Sequence, residues 1–133
     1  MKKFILSVFS IMLVTIAAHA QKSIFYPVVV SFNSMCCGVP DNAPVMKLIS
    51  SFKKQNRIKR MAVDHIGPMG KEGEYYLAFR LKELSKAQKI KFIQQLKKLA
   101  PAMVDKGSAE IKEGLVVNKA DLPARTTITT RNL

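Results

Sequence analysis

The sequence predicts an α+β domain whose elements run β-α-β-β-α-β. Three observations carry this. Short runs of strand length, rich in β-branched and aromatic residues, alternate with two longer stretches whose apolar residues recur at helical spacing. Turn chemistry separates them at each junction. Once an amino-terminal leader is set aside, the 133-residue chain is long enough for one domain with a core of its own.

That leader is residues 1–20. Lys2 and Lys3 make a short positive start, Phe4 to Ala18 is almost unbroken apolar sequence, and Ala18-His19-Ala20 is a small-x-small cleavage site. The order is that of a secretory signal peptide. It implies an exported, periplasmic or secreted protein with Gln21 as its mature start. No later apolar run reaches spanning length, so no transmembrane segment is expected after cleavage. The leader holds two of the 22 basic residues and none of the 9 acidic ones, so the mature chain stays strongly basic. A basic exported protein is drawn to anionic envelope surfaces. The lysines are spread over both helices and the loops, which is also the pattern of solvated helix faces.

The first strand is Ile24 to Phe32, with Pro27 tolerable near its start. Asp41 or Asn42 can cap the first helix, and Pro44 suits its first turn. Val45, Leu48, Ile49 and Phe52 fall on one face of that helix. Ile58 to Ile66 reads as the second strand, followed by a turn over residues 67–73. Glu74 to Lys82 alternates, with Tyr75, Leu77, Phe79 and Leu81 on one side and Tyr76, Ala78 and Arg80 on the other. Ser85 with Gln88 is a capping-box signature for the second helix. Ile90, Phe92, Ile93, Leu96, Leu99, Ala100 and Met103 form its apolar stripe, and Pro101 is expected to kink or shorten it. Residues 108–118 read as a weaker fourth strand, broken by Gly114.

This order suggests a ferredoxin-like βαββαβ sandwich over residues 21–118, with a four-stranded antiparallel sheet in the order 4-1-3-2 and two helices on one face. Residues 119–133, rich in Thr and Arg, are expected to be a C-terminal tail or an add-on strand.

One loop carries the chemistry. Both cysteines of the chain stand side by side in Ser34-Met35-Cys36-Cys37-Gly38, between the first strand and the first helix. A helix N-terminus favours the thiolate, the form that binds metals or attacks disulfides. Thiolate and thioether sulfurs select soft ions such as Cu(I). Met35, Cys36 and Cys37 are therefore the candidate metal ligands. Two adjacent residues diverge in an extended chain, so convergence needs a turn, which Gly38 can help make.

Here the chain resembles the heavy-metal-associated domain family. That family has the same element order and holds a soft metal with an M-x-C-x-x-C motif between its first strand and first helix. Met35-Cys36-Cys37 supplies the M-x-C part, with Cys37 in the first-cysteine place. The second-cysteine place falls on Pro40, which cannot ligate. The resemblance implies Cu(I) or another soft ion as the ligand of this loop.

Other readings of the two thiols stay open. A Cys36–Cys37 disulfide would be strained, because adjacent Cα atoms are closer than a relaxed bridge prefers. Bonding to a protein partner or to a second copy of the chain is another reading. Burial of one thiol as a small hydrophobe is the last. Thiol-disulfide exchange lacks a C-x-x-C motif.

Asp41 reads as a helix cap and His65 as a packed or surface residue. Asp64 and His65 face opposite sides of a strand and so make no dyad. No Walker loop, GxSxG elbow, HExxH helix or RNP-like run occurs, and neither an enzyme nor a sequence-specific nucleic-acid binder is expected. The leading expectation is a small exported binding protein presenting the Met-Cys-Cys loop. The alternative is a basic envelope module that binds a partner protein or an anionic surface, with incidental cysteines.

Overall fold

The computed structural model describes residues 23–133. The signal-peptide reading of residues 1–20 lies outside the described residues. The elements are β1 (Ser23–Ser34), α1 (Ala43–Asn56), β2 (Ala62–Gly67), β3 (Tyr75–Phe79), α2 (Lys86–Leu99), β4 (Gly107–Asn118) and β5 (Thr127–Asn132). All five strands form one antiparallel sheet in the order β4-β1-β3-β2-β5.

The first four strands take the expected order, but the count of four is one short. β5 runs along the outer side of β2, from Gly67 opposite Thr127 to Ala62 opposite Asn132. Reciprocal backbone hydrogen bonds between Met61 and Leu133 extend the ladder by one more pair. β2 would otherwise be an edge with a row of unpaired N–H and C=O groups. Thr127, Ile128, Thr129 and Thr130 suit a pleated strand because all four are β-branched. The segment does not announce a strand by hydrophobic alternation, since only Ile128 turns an apolar side chain inward.

α1 starts at Asn42, carries Pro44 in its first turn, and ends at Arg57 in the left-handed region, with Lys53 and Lys54 in its last turn. The Ile58 N–H reaches back to the Lys53 carbonyl. That closure holds Ile58 in the helix terminus, so β2 begins at Ala62, four residues later than the apolar pattern suggests. α2 has the full capping box: Gln88 N–H donates to Ser85 Oγ, and Ser85 N–H to the Gln88 side chain. Pro101 sits in a 3-10 turn over Ala100–Ala102 that ends this helix.

Both helices pack on one face of the sheet. Val45, Ile49 and Phe52 of α1 meet Phe92 and Leu96 of α2 over Val28, Val30, Phe32, Leu77 and Phe79. Phe92 lies edge-on to Phe52 and Phe79, with centroids 5.0 and 5.3 Å away.

The opposite face has a smaller core of Tyr26, Val29, Ile66, Ala78 and Val117. Two features create it. First, β1 exchanges its faces at Pro27: Val28 points to the helices, whereas Tyr26, two residues earlier, points to the other side. Pro27 lies across from Gly114, whose positive φ of 64° lets β4 turn with it, so the strand continues through a glycine that sequence alone reads as a break. Second, β4 and β5 are at opposite edges, so residues 119–126 must cross the sheet. They cross the face away from the helices, where Leu122 covers the smaller core. Thr126 Oγ1 donates to the Pro68 carbonyl and Arg125 to the Gly70 carbonyl, which anchors the far end of the crossing.

Candidate functional site

β1 ends at Ser34 and the chain bends through Met35, Cys36, Cys37 and Gly38. The Met35 N–H donates to the Lys106 carbonyl at 3.4 Å, so this loop leans on the turn that precedes β4. Beyond it, buried Pro40 returns the chain to the sheet, and the Asn42 amide donates to the Tyr75 hydroxyl at 2.8 Å. Tyr75 is stacked between Phe32 and His65, with centroids 4.6 and 4.7 Å apart. The thiol loop is thus exposed at its tip and rooted on a rigid aromatic stack.

Cys36 and Cys37 are both free thiols and both exposed. Cys37 has φ 64° and Gly38 has φ 119°. Two successive residues with positive φ abolish the alternation that would send neighbouring side chains to opposite sides of an extended chain. Both thiols are exposed to solvent at this bend. Met35 beside them is 71% exposed. The loop so places the three sulfur residues, Met35, Cys36 and Cys37, together at the surface.

Other candidates stay apart from them. The Asp41 carboxylate accepts from the Ala43 N–H at 3.0 Å, the first backbone N–H of α1. Residues 38–41 separate the thiols from that terminus, so the helix end serves Asp41 and not the cysteines. His65 packs on Tyr75. Burial, then the charge of Arg131, holds its imidazole below the usual histidine range. Among the described residues, no group of three or more His, Cys, Asp or Glu side chains is gathered to hold a metal. Any metal at this loop would rest on the two thiolates and the Met35 thioether, a set for low coordination and not for closed four-ligand zinc.

A second polar constellation lies on the other face of the sheet. Asp64 is fully buried in β2. Its Oδ2 accepts from the Tyr26 hydroxyl at 2.6 Å and from Arg80 Nε and Nη2 at 2.9 and 2.7 Å. Its Oδ1 accepts from the Thr130 hydroxyl at 2.6 Å. Burial alone would raise the Asp64 carboxyl, but hydrogen bonds from Thr130, Tyr26 and Arg80, with the Arg80 charge, outweigh it and hold it below the ordinary range. The same network pushes the Tyr26 phenol far up, by burial first and by its bond to Asp64 second. This carboxylate joins four strands: β1, β2, β5 and, through Arg80, the end of β3. Its sequence signal is a lone acid inside the apolar strand Val63-Asp64-His65-Ile66, on the face opposite His65.

No helix among the described residues is long and apolar enough to cross a membrane. Comparison with known proteins finds no matching family model, no similar curated protein and no similar solved structure.

Proposed function

We propose that this is a small exported binding protein that uses the Met35-Cys36-Cys37 loop to take up a soft cation such as Cu(I). The fold reading that accompanies it is a ferredoxin-like sandwich extended by β5. The observation that carries the proposal is the left-handed turn at Cys37, in a loop whose two cysteines are both free and exposed beside an exposed Met35. Cysteine is among the most buried residue types, so two exposed thiols side by side depart from the ordinary pattern. Soft sulfur donors prefer monovalent copper over the harder divalent ions. The position also matches the heavy-metal-associated family, where the loop after the first strand holds the ion, although Pro40 replaces the second cysteine of that motif. With only two thiolates in the loop, a second copy of the chain or a thiol-bearing partner can complete the coordination.

The test is a titration of the reduced residue 21–133 protein with Cu(I) against a chromophoric Cu(I) chelator, beside a Cys36→Ser/Cys37→Ser variant. The wild type should withdraw copper from the chelator and the variant should not. Equal withdrawal by both would overturn the proposal.

A further inference from the structure

A cationic trough lies beside the buried Asp64, remote from the thiols and independent of the reading above. Arg80 follows β3 and directs Nε and Nη2 at one oxygen of Asp64. Because that carboxylate is wholly buried and also held by Tyr26 and Thr130, the guanidinium has a fixed orientation. Its side chain is 33% exposed, so it reaches solvent as well as the buried carboxylate.

Arg80 and Ile24 line two adjoining clefts. One, of about 500 Å³, also has Phe25, Lys82 and Lys89 on its walls. The other, of about 660 Å³, has Lys119, Thr126 and Thr130, where the crossing segment passes over the sheet. The two clefts share Ile24 and Arg80, with Lys82 and Lys89 on the wall of one and Lys119 on the wall of the other. The ion pairs among the described residues are Arg80–Asp64 and Lys97–Glu113. Lys82, Lys89 and Lys119 therefore face the trough without a carboxylate partner. Phe25 is 59% exposed there and offers an apolar wall. Asp64 offsets the charge of Arg80 but fixes its donors, while the lysines supply uncompensated charge.

We infer that this trough binds a phosphate group carried by a larger ligand. A pre-oriented guanidinium supplies directed donors to phosphate oxygens, and mobile ammonium groups around it supply charge. Lys82 lines one cleft beside Arg80 and Lys119 the other, so both add to the charge around the guanidinium, and the exposed Phe25 ring meets the apolar part of the ligand. The Phe25 end of the trough is ten residues along β1 from Met35, roughly 33 Å at strand spacing, so the two sites act separately.

The experiment measures binding of glycerol 3-phosphate by calorimetry, and of phosphatidylcholine vesicles with and without phosphatidic acid by co-sedimentation. Three proteins are compared: wild type, Lys82→Ala/Lys119→Ala in the trough, and Lys47→Ala/Lys98→Ala on the helix face as a control of equal charge. Wild type should bind at least one phosphate probe saturably. The trough variant should lose about tenfold in affinity, and the control should stay within about twofold. Glycerol 3-phosphate binding assigns a soluble ester. Binding to phosphatidic acid vesicles alone assigns a lipid headgroup. Equal loss in both variants, or no saturable binding of any probe by wild type, would overturn the inference.

Discussion

Removing the carboxylate of Asp64 should be the most damaging single polar change in this domain. Asp64→Ala deletes the acceptor for four hydrogen bonds, two of them from Arg80, and leaves the Tyr26 hydroxyl without its partner in a buried setting. Breaking a buried ion pair by removing one partner typically costs about 3–5 kcal/mol. Arg80 is partly exposed and can recover water, which places the expected loss near the lower end, at roughly 3 kcal/mol. For a domain of this size that is a fall of roughly 15 °C in Tm. Asp64→Asn keeps one acceptor oxygen and loses the charge, so its cost should be smaller, about 1–2 kcal/mol. The assay is urea unfolding at pH 7, repeated in acid. The folded carboxyl lies below its ordinary value of 3.8. Its contribution is therefore present above that value and is lost as the pH falls through the depressed folded one. The gap between wild type and Asp64→Ala should close correspondingly in acid. A loss under about 1 kcal/mol at pH 7, or a gap independent of pH, would refute the assignment of this network as a stabilising link among the strands.

Further outcomes follow from the same structure. Cys36→Ser/Cys37→Ser should leave stability within about 0.5 kcal/mol, because both thiols are exposed, and both should react with a thiol reagent in the folded protein without denaturant. Gly107→Ala should cost about 2 kcal/mol or more in chemical denaturation, because a Cβ there collides with the Asn33 backbone carbonyl, which cannot yield as a flexible side chain can. Deleting residues 119–133 uncovers Tyr26, Val29, Ile66, Ala78 and Val117 together and strips β2 of its neighbour. The truncated chain should lose its cooperative unfolding transition. The His65 imidazole is held below its ordinary 6.5 in the folded protein, so its contribution is full above that pH and declines as the pH falls through the lowered folded value. His65→Phe, which preserves a ring against Tyr75, should reduce the loss of stability between pH 7 and pH 5.

The helix-side half of the fold was legible because its residues obey simple periods. Tyr75, Leu77, Phe79 and Leu81 alternate, and all four enter the core under the helices. Ser85 and Gln88 announce a capping box, and it forms. The other face was not legible. Its core depends on the exchange of faces at Pro27 and Gly114, which depends on two strands turning together and leaves no period in either one. β5 was open between tail and strand because its stability comes from the edge of β2 and from Leu122 on the far face, both distant in sequence. The residue types of the thiol loop stand out in the sequence, whereas its shape does not. Gly38 predicts a turn there, but Cys37 also adopts a left-handed conformation, which no spacing rule for a non-glycine residue foretells. In the sequence Asp64 stands out only as the neighbour of His65. Its partners Tyr26, Arg80 and Thr130 lie 38, 16 and 66 residues away, so only the folded sheet brings them to one carboxylate.

A soft-metal site at the Met-Cys-Cys loop, as proposed, requires that its sulfurs ligate the ion. The most direct measurement is the X-ray absorption fine structure of the reduced protein loaded with one equivalent of Cu(I). The expected first shell is sulfur, lost when Cys36 and Cys37 are replaced by serine. A first shell of nitrogen or oxygen, or a spectrum that the serine variant reproduces, would contradict it.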